Sequence, residues 1–167
     1  MKKLFLKAAV LTALLSILLS ACGDIGGQTK PANGGGTQKD PDDAITGNIT
    51  TKVTWDGKDT DGNPLTYYIN STIYIKDGGN LTITDGAIVK FGPRGVVYVN
   101  TTGAIEATGV KFTSYRDPEG RKISVAPDDT PAMGDWQQID IKGGTGKFTS
   151  CKFYYGGKDE CSTLVVT

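Results

Sequence analysis

The chain has few side chains that could do chemistry. Its 167 residues include three cysteines, Cys22, Cys151 and Cys161, and no histidine. Because histidine is the commonest general base and the commonest metal ligand, its absence removes both roles from the candidate sites. A disulfide between Cys151 and Cys161 would close a short loop and stabilise the fold by about 2–3 kcal/mol. The alternative is two separate thiols, one of them buried.

The first cysteine stands at the end of an apolar run. Lys2, Lys3 and Lys7 precede residues 8–19, which are apolar except for Thr12 and Ser16. The run is too short and wrongly flanked for a membrane-spanning helix. It ends in a branched apolar residue, two small residues and then cysteine, Leu19-Ser20-Ala21-Cys22.

This ending resembles the lipobox of bacterial lipoprotein signal peptides. The resemblance implies that residues 1–21 are removed and that Cys22 carries the lipid that anchors the protein to a membrane of the bacterial cell envelope. Gly23, rather than aspartate, follows the cysteine, which in a Gram-negative cell resembles lipoproteins released to the outer membrane. The alternative is an ordinary secretory signal with an incidental cysteine. Two or more acyl chains make such an anchor stable, because one chain alone binds marginally.

The segment after Cys22 has the composition of a linker. Residues 22–47 are rich in glycine, proline and aspartate and nearly lack apolar side chains, so they cannot offset the entropy of ordering. As a flexible coil this linker reaches about 25–30 Å. Without residues 1–21 the chain has 15 basic and 18 acidic residues, which gives no basic surface for nucleic acid.

From residue 48 onward, short β-rich runs repeat between small turn residues, and no stretch shows a helical period. Successive copies are spaced by 24, 42 and 25 residues, and the long interval contains a polar insertion of about 18 residues at 116–135. A period of this length predicts a stacked β-solenoid, in which alternate side chains point inward. The recurring positions are Ile73-x-Ile75, Val97-x-Val99, Ile139-x-Ile141 and Leu164-x-Val166; Leu81-x-Ile83, Ile105-x-Ala107 and Phe148; and Phe91, Phe112 and Phe153.

Three details of this region carry a family resemblance. Phe112-Thr113-Ser114 precedes the insertion, Gly134-Asp135-Trp136 ends it, and Tyr155-Gly156-Gly157 forms a later corner. Together they resemble the right-handed parallel β-helix repeat proteins of bacterial surfaces. The resemblance covers about residues 66–167 and implies a right-handed parallel β-helix there. With the β-rich segment before it, we expect an all-β domain over residues 48–167, and the repeat predicts about three coils and the first strand of a fourth.

The two ends of this domain need protection. At the N-terminal end, Val53-x-Trp55 and Tyr67-x-Ile69 flank a polar turn, which predicts an opening hairpin or β cap. At the other end, the fourth coil stops at Thr167 without a polar cap, and solenoids need capped ends. We therefore expect either a C-terminally incomplete domain or a partner that covers this end.

The insertion is the candidate ligand loop. Tyr115 and Arg116 stand at its start, Arg121 lies within it, and Trp136 stands at its end, where the tryptophan and the tyrosine could stack on a sugar. The alternative is a solvated loop with Trp136 as a core residue, and the family pattern favours it.

A weak calcium candidate lies nearer the N-terminus. Asp59, Asp61 and Asn63 have the spacing of oxygen ligands in a calcium loop. Pro64 stands where an EF-hand loop needs glycine, and the later glutamate is missing, so the match fails. The alternative is a polar turn.

The acidic side chains do not form an acid/base set. Asp85, Glu106 and Asp140 occur at different phases of the repeat, which indicates solvent-facing positions. We therefore expect a non-catalytic structural or adhesive module without cofactor, whose partners are the membrane and either a polysaccharide or another envelope protein. The alternative is a polysaccharide-binding or polysaccharide-degrading module, because this fold serves many functions.

Overall fold

The computed structural model describes residues 44–120, 130–160 and 162–167. Cys22, Arg121 and Cys161 lie outside these residues, as do the predicted signal peptide and most of the predicted linker, so the expectations on them stay predictions. The described strands are β1 (Asn48–Ile49), β2 (Lys52–Trp55), β3 (Thr66–Ile69), β4 (Thr72–Ile75), β5 (Asn80–Ile83), β6 (Ile88–Phe91), β7 (Val96–Asn100), β8 (Ala104–Thr108), β9 (Lys111–Ser114), β10 (Ile139–Lys142), β11 (Thr145–Thr149), β12 (Lys152–Phe153) and β13 (Leu164–Val166).

These strands form three sheets in which every pairing between strands is parallel. Sheet I has the order β1-β4-β7-β10-β13, sheet II the order β11-β8-β5-β2, and sheet III the order β12-β9-β6-β3. Each sheet therefore receives one strand from every turn of the chain. The result is a right-handed parallel β-solenoid, which confirms the predicted fold class. Among the described residues there is no helix with the length and apolar character needed to cross a bilayer.

The core is built by equivalent side chains that stack from coil to coil. In sheet I, Ile73, Val97 and Ile139 are register partners, and each is at most 2% exposed. In sheet II, Ile83 pairs with Ala107, which pairs with Phe148. Since strand side chains alternate between the two faces, the apolar residues at every second position fill the interior. The repeats read from these pairs are confirmed.

The segment predicted as an opening hairpin or β cap forms instead the first coil of the solenoid. Strands β2 and β3 do not pair with each other; Val53 lies in parallel register with Leu81, and Tyr67 with Val89. The hairpin prediction was wrong because the connection between β2 and β3 is an outward loop, closed by one antiparallel bridge between Lys58 and Pro64. The described part of the solenoid thus has four coils and the first strand of a fifth.

The phenylalanine repeat differs by two positions from the prediction. Phe112 is the register partner of Val89 and of Phe153, whereas Phe91 is the partner of Ser114. The small serine leaves space above Phe91, and Trp136 fills it, with the two rings stacked at 4.2 Å between centroids. Trp136, at the end of the insertion, therefore supplies the large side chain that the third coil lacks at Ser114.

Glycine is required where one coil turns closely over another. A Cβ atom on Gly79 would lie 2.0 Å from the carbonyl oxygen of Ile49, and one on Gly103 would lie 2.2 Å from that of Ile75. Both glycines follow the sheet I strand of their coil. The equal approach in two successive coils explains why glycine recurs there.

The two ends of the described domain differ. At the N-terminal end, Ile45 pairs with Ile69, so contacts with the solenoid begin within the predicted linker. The apolar side chains of the first coil, such as Ile49 and Trp55, are each 4% exposed. In the last strand, Val166 is 76% exposed, although its partner Ile141 is 4% exposed.

Candidate functional site

Trp136, one residue of the predicted ligand loop, is a core residue. Its side chain is fully buried, and its indole N–H donates to the carbonyl oxygen of Tyr154 at 2.9 Å. A ring enclosed in this way offers no face to a sugar. The sugar-stacking interpretation is therefore wrong for Trp136, and the alternative prediction that Trp136 is a core residue is confirmed.

The two other described residues of the loop hold the insertion onto the solenoid. Tyr115 is buried against Tyr68 on β3, while the Arg116 guanidinium lies 5.2 Å from the Tyr115 ring centroid. Arg116 Nη1 also lies 3.3 Å from Asp135 Oδ1. Asp135 in turn accepts a hydrogen bond from Ser114 Oγ at 2.5 Å. These contacts join the start and the end of the insertion.

The calcium candidate has the geometry of a polar turn. Asp59 Oδ1 accepts hydrogen bonds from the backbone N–H groups of Asp61 at 2.9 Å and Asn63 at 2.8 Å, and Asn63 Nδ2 donates to Asp59 Oδ2 at 3.1 Å. The carboxylate thus receives donors from the positions that would have to supply ligand oxygens. The pKa of Asp59 is held below its ordinary value mainly by the hydrogen bond from the Asn63 side chain, and next by the one from the Asn63 backbone N–H. Within the described ranges no group of three histidine, cysteine, aspartate or glutamate side chains could hold a metal ion.

Cys151 is half-buried at the corner after β11. Its Sγ lies 3.4 Å from the carbonyl oxygen of Ala107. Because Cys161 is outside the described residues, its disulfide with Cys151 stays a prediction.

Asp140 differs from its expected place at the surface. Asp85 and Glu106 are exposed as predicted, but Asp140 is 4% exposed. Its Oδ2 lies 3.3 Å from Gln138 Nε2 and 3.4 Å from Lys142 Nζ, while Oδ1 has no hydrogen-bond partner. The residue still points outward from sheet I, since it pairs with Tyr98 on β7.

The segment 115–120 covers the outer face of sheet III through one buried carboxylate. Asp117 Oδ2 accepts hydrogen bonds from Thr113 Oγ1 and Lys111 Nζ, both at 2.7 Å. The Asp117 carbonyl oxygen accepts one from Lys90 Nζ at 2.6 Å, and Lys90 is fully buried. Lys111 Nζ also lies 2.6 Å from Glu119 Oε2. A charged network of this kind keeps the buried ammonium group in contact with acceptors.

The same network changes two pKa values. Burial of Asp117 favours its neutral form, but hydrogen bonds from Lys111 and Thr113 outweigh burial and lower the pKa. Burial likewise opposes the charged form of Lys111, but its hydrogen bonds to Asp117 and Glu119 raise the pKa. Both shifts favour the ion pair.

A groove of about 270 Å³ runs along the corner between sheets II and III. We call it the corner groove and define it by Pro64, Gly86, Lys111, Glu119, Lys152 and Tyr154. The lining comes from the corner loops of all four coils and from the segment 115–120. The groove therefore follows the axis of the solenoid.

Polar and aromatic groups are concentrated at one end of the corner groove. Tyr154 is 41% exposed, and Lys111 Nζ lies 5.3 Å from its ring centroid. Lys152, two residues earlier on the same coil, is exposed, and so is Glu119 on the opposite wall. The groove thus offers an aromatic ring, ammonium donors and a carboxylate acceptor within one concave surface.

Sequence reasoning missed this site because no single segment contains it. A signal was present: Gly86, Gly109 and Ser150 all follow sheet II strands and have positive φ angles of 94°, 61° and 54°. All three residues line the groove between Pro64 and Tyr154. Their recurrence at one phase of the repeat marks the floor of the groove.

The fold and the corner groove define a class of protein, a parallel β-solenoid with a polar groove along one edge. No family model, curated protein or solved structure matches the chain.

Proposed function

We propose that this chain is a non-catalytic surface module of the bacterial cell envelope, anchored through lipid on Cys22. Its solenoid serves a structural or adhesive role at a distance from the membrane that the linker sets. The lipobox-like ending at Cys22 supports the anchor, and the rigid three-sided stack supports the role of the domain.

One observation carries the non-catalytic part of the proposal. Two buried carboxylates hold the fold together: Asp117 fastens the segment 115–120 to sheet III, and Asp135 joins the two ends of the insertion. Glu119, the carboxylate of the corner groove, lies 2.6 Å from Lys111 Nζ. A general acid or base needs a carboxylate within reach of a bound substrate. These two side chains instead lie beneath the segments that they fasten, at 6% and 8% exposure.

Metabolic labelling with palmitate in a bacterial host tests the anchor. We expect label on the wild type, no label on Cys22→Ser, and full label on the matched control Cys151→Ser. Membrane fractionation should show the same pattern. An unlabelled wild type, or a labelled Cys22→Ser protein, would contradict the proposal.

A product assay tests the absence of catalysis. The purified protein is incubated with a panel of neutral and acidic polysaccharides, and new reducing ends and unsaturated sugars are measured. We expect no release above that of a heat-denatured sample. Release that depends on folded protein would show that the module is an enzyme.

A further inference from the structure

We propose that Tyr74 and Tyr98 form an oxidative cross-linking site, at which a haem peroxidase with hydrogen peroxide joins the two rings as dityrosine. The covalent bond ties two adjacent coils of the solenoid together. The inference goes beyond the proposed function and does not depend on the lipid anchor at Cys22.

The repeat places the two tyrosines side by side on the outer face of sheet I. They lie on β4 and β7 and are register partners. Ile73 and Ile75, which flank Tyr74 on β4, are fully buried, so the tyrosine points outward. Because parallel strands in register are about 4.8 Å apart, equivalent atoms of the two rings face each other.

The geometry of the two rings suits formation of a carbon–carbon bond. The rings are stacked, with 5.4 Å between their centroids and 21° between their planes. Lys142 approaches Tyr98 from β10, the strand on the other side of β7, and its Nζ lies 4.3 Å from the ring centroid. Lys142 Nζ also lies 3.4 Å from Asp140 Oδ2. Tyr98 is therefore held between an ammonium group and the Tyr74 ring before an oxidant arrives.

Solvent reaches this pair, whereas several other tyrosines are enclosed. Tyr74 is 37% exposed, and Tyr98 is half-buried. Of the seven tyrosines of the chain, three are buried at 7% exposure or less, namely Tyr67, Tyr68 and Tyr115. The pair is therefore open to a one-electron oxidant from outside.

A second exposed pair, Tyr154 and Tyr155, is less suitable. Its rings are 6.0 Å apart and tilted by 39°. The two residues are also neighbours in the sequence, so a bond between them would not join two coils. This pair serves instead as an internal comparison for the reaction.

The reaction needs only the two phenols and the oxidant. The peroxidase removes one electron and the phenolic proton from each tyrosine, and hydrogen peroxide takes up both electrons and both protons to give two water molecules. The two phenoxyl radicals couple through their Cε carbons. The hydrogen on each of these carbons then moves as a proton to the phenolic oxygen, which restores both aromatic rings. The chain thus loses two hydrogen atoms and gains one covalent bond.

A bond at this place closes one complete coil. Residue numbers 74 and 98 differ by 24, which is one period of the repeat. A covalent loop reduces the entropy of the unfolded chain, as a disulfide does. Since each coil of a solenoid contacts only its neighbours, a bond between the second and third coils opposes unwinding from one to the other.

Peroxidase treatment of the full chain, at low protein concentration in detergent, tests this inference. We expect the monomer to gain dityrosine fluorescence and to lose the mass of two hydrogen atoms. Digestion should yield a peptide in which the segments of Tyr74 and Tyr98 are joined. The urea midpoint of the cross-linked monomer should rise and should stay raised in a thiol reductant. Dityrosine found only in dimers of the chain, or no dityrosine, would overturn the proposal.

Substitutions with phenylalanine identify the pair, since each keeps the ring and removes the hydroxyl group that the radical requires. Tyr74→Phe and Tyr98→Phe should each abolish dityrosine in the monomer, and their circular dichroism before treatment should match that of the wild type. The matched control is Tyr154→Phe, which removes a tyrosine of similar exposure, 41%, and should leave the yield unchanged. A yield that falls in Tyr154→Phe and persists in Tyr98→Phe would refute the assignment.

Discussion

Truncation of Trp136 to alanine should destabilise the fold by about 3–5 kcal/mol, the range for loss of a large buried aromatic side chain. The indole is fully buried, lies 4.2 Å from the Phe91 ring and donates one hydrogen bond to Tyr154 O. Stacking supplies about 0.5–1.5 kcal/mol beyond burial, and an unsatisfied carbonyl costs about 1–3 kcal/mol. Since domains are commonly stable by about 5–15 kcal/mol, this single change removes a large share.

A series of variants separates these contributions. Trp136→Phe keeps a ring above Phe91 but loses the N–H donor, so we expect it to cost about 1–3 kcal/mol. Met133→Ala lies in the same insertion at 90% exposure and should change stability by less than about 0.5 kcal/mol. In a double-mutant cycle, Trp136→Ala and Phe91→Ala should show a coupling of about 0.5–1.5 kcal/mol.

Urea denaturation followed by far-UV circular dichroism measures these values. The signal should be that of β-structure with little helix. The reasoning would be refuted if Trp136→Ala cost less than about 1 kcal/mol, a value expected for an exposed side chain.

Three further perturbations test the network, the corners and the turn. Asp117→Asn should lower the free energy of unfolding at neutral pH. Because the pKa of Asp117 is lower in the folded state than in the unfolded chain, its carboxylate stabilises the fold above the unfolded pKa of about 3.9, and this stabilisation is lost as pH falls through the folded pKa. The difference between the two proteins should therefore shrink at acidic pH, and a difference that is constant with pH in urea titrations would exclude the ion pair. Gly79→Ala should lower the denaturation midpoint far more than Gly62→Ala. A Cβ atom on residue 79 would lie 2.0 Å from Ile49 O, whereas nothing lies within 4 Å of a Cβ atom on residue 62. Similar midpoints for the two variants would contradict the close approach of the coils at Gly79. Calcium at millimolar concentration should leave the thermal midpoint unchanged, because Asp59 already accepts the N–H donors of its own turn; a rise that Asp59→Asn abolishes would restore the calcium hypothesis.

The repeat made the solenoid predictable because every coil must fill the same interior. Apolar pairs such as Ile73-x-Ile75 and Val97-x-Val99 recur at the same phase, and the structure places them in register. The insertion was recognised for the same reason, as the excess over one period. The sequence therefore predicted the features that every coil shares, namely the inward apolar pairs and the length of one period.

Where a coil departs from the average, the sequence was less informative. The long polar loop between Trp55 and Thr66 predicts a hairpin in the first coil, although Val53-x-Trp55 matches Leu81-x-Ile83 in sequence pattern and in register. Phe91 and Phe112 look equivalent in the sequence, but their register differs by two positions. The volume missing above Phe91 is supplied by Trp136, which is distant in sequence. Compensation between distant residues leaves no periodic signal.

The corner groove could not be predicted for a related reason. Its polar residues come from a corner loop, two strands and the insertion, and only the stacking of coils brings them together. Lys152 and Tyr154 are separated from Glu119 by more than thirty residues. The small corner residues recur, but their recurrence is equally well explained by turn chemistry.

The two tryptophans of the chain lie at different levels of the stack and can serve as separate optical probes. Trp55 stacks on Tyr67 in the first coil at 4.8 Å, and Trp136 stacks on Phe91 where the insertion returns to the fourth coil. In a solenoid each coil contacts only its neighbours, so melting can begin at one end and advance along the stack. Fluorescence of a Trp136→Phe protein would therefore report the first coil, and that of a Trp55→Phe protein the middle of the stack. Each is compared with the circular dichroism of the same protein, and a fluorescence transition that precedes the loss of dichroism would show where the rod begins to unwind.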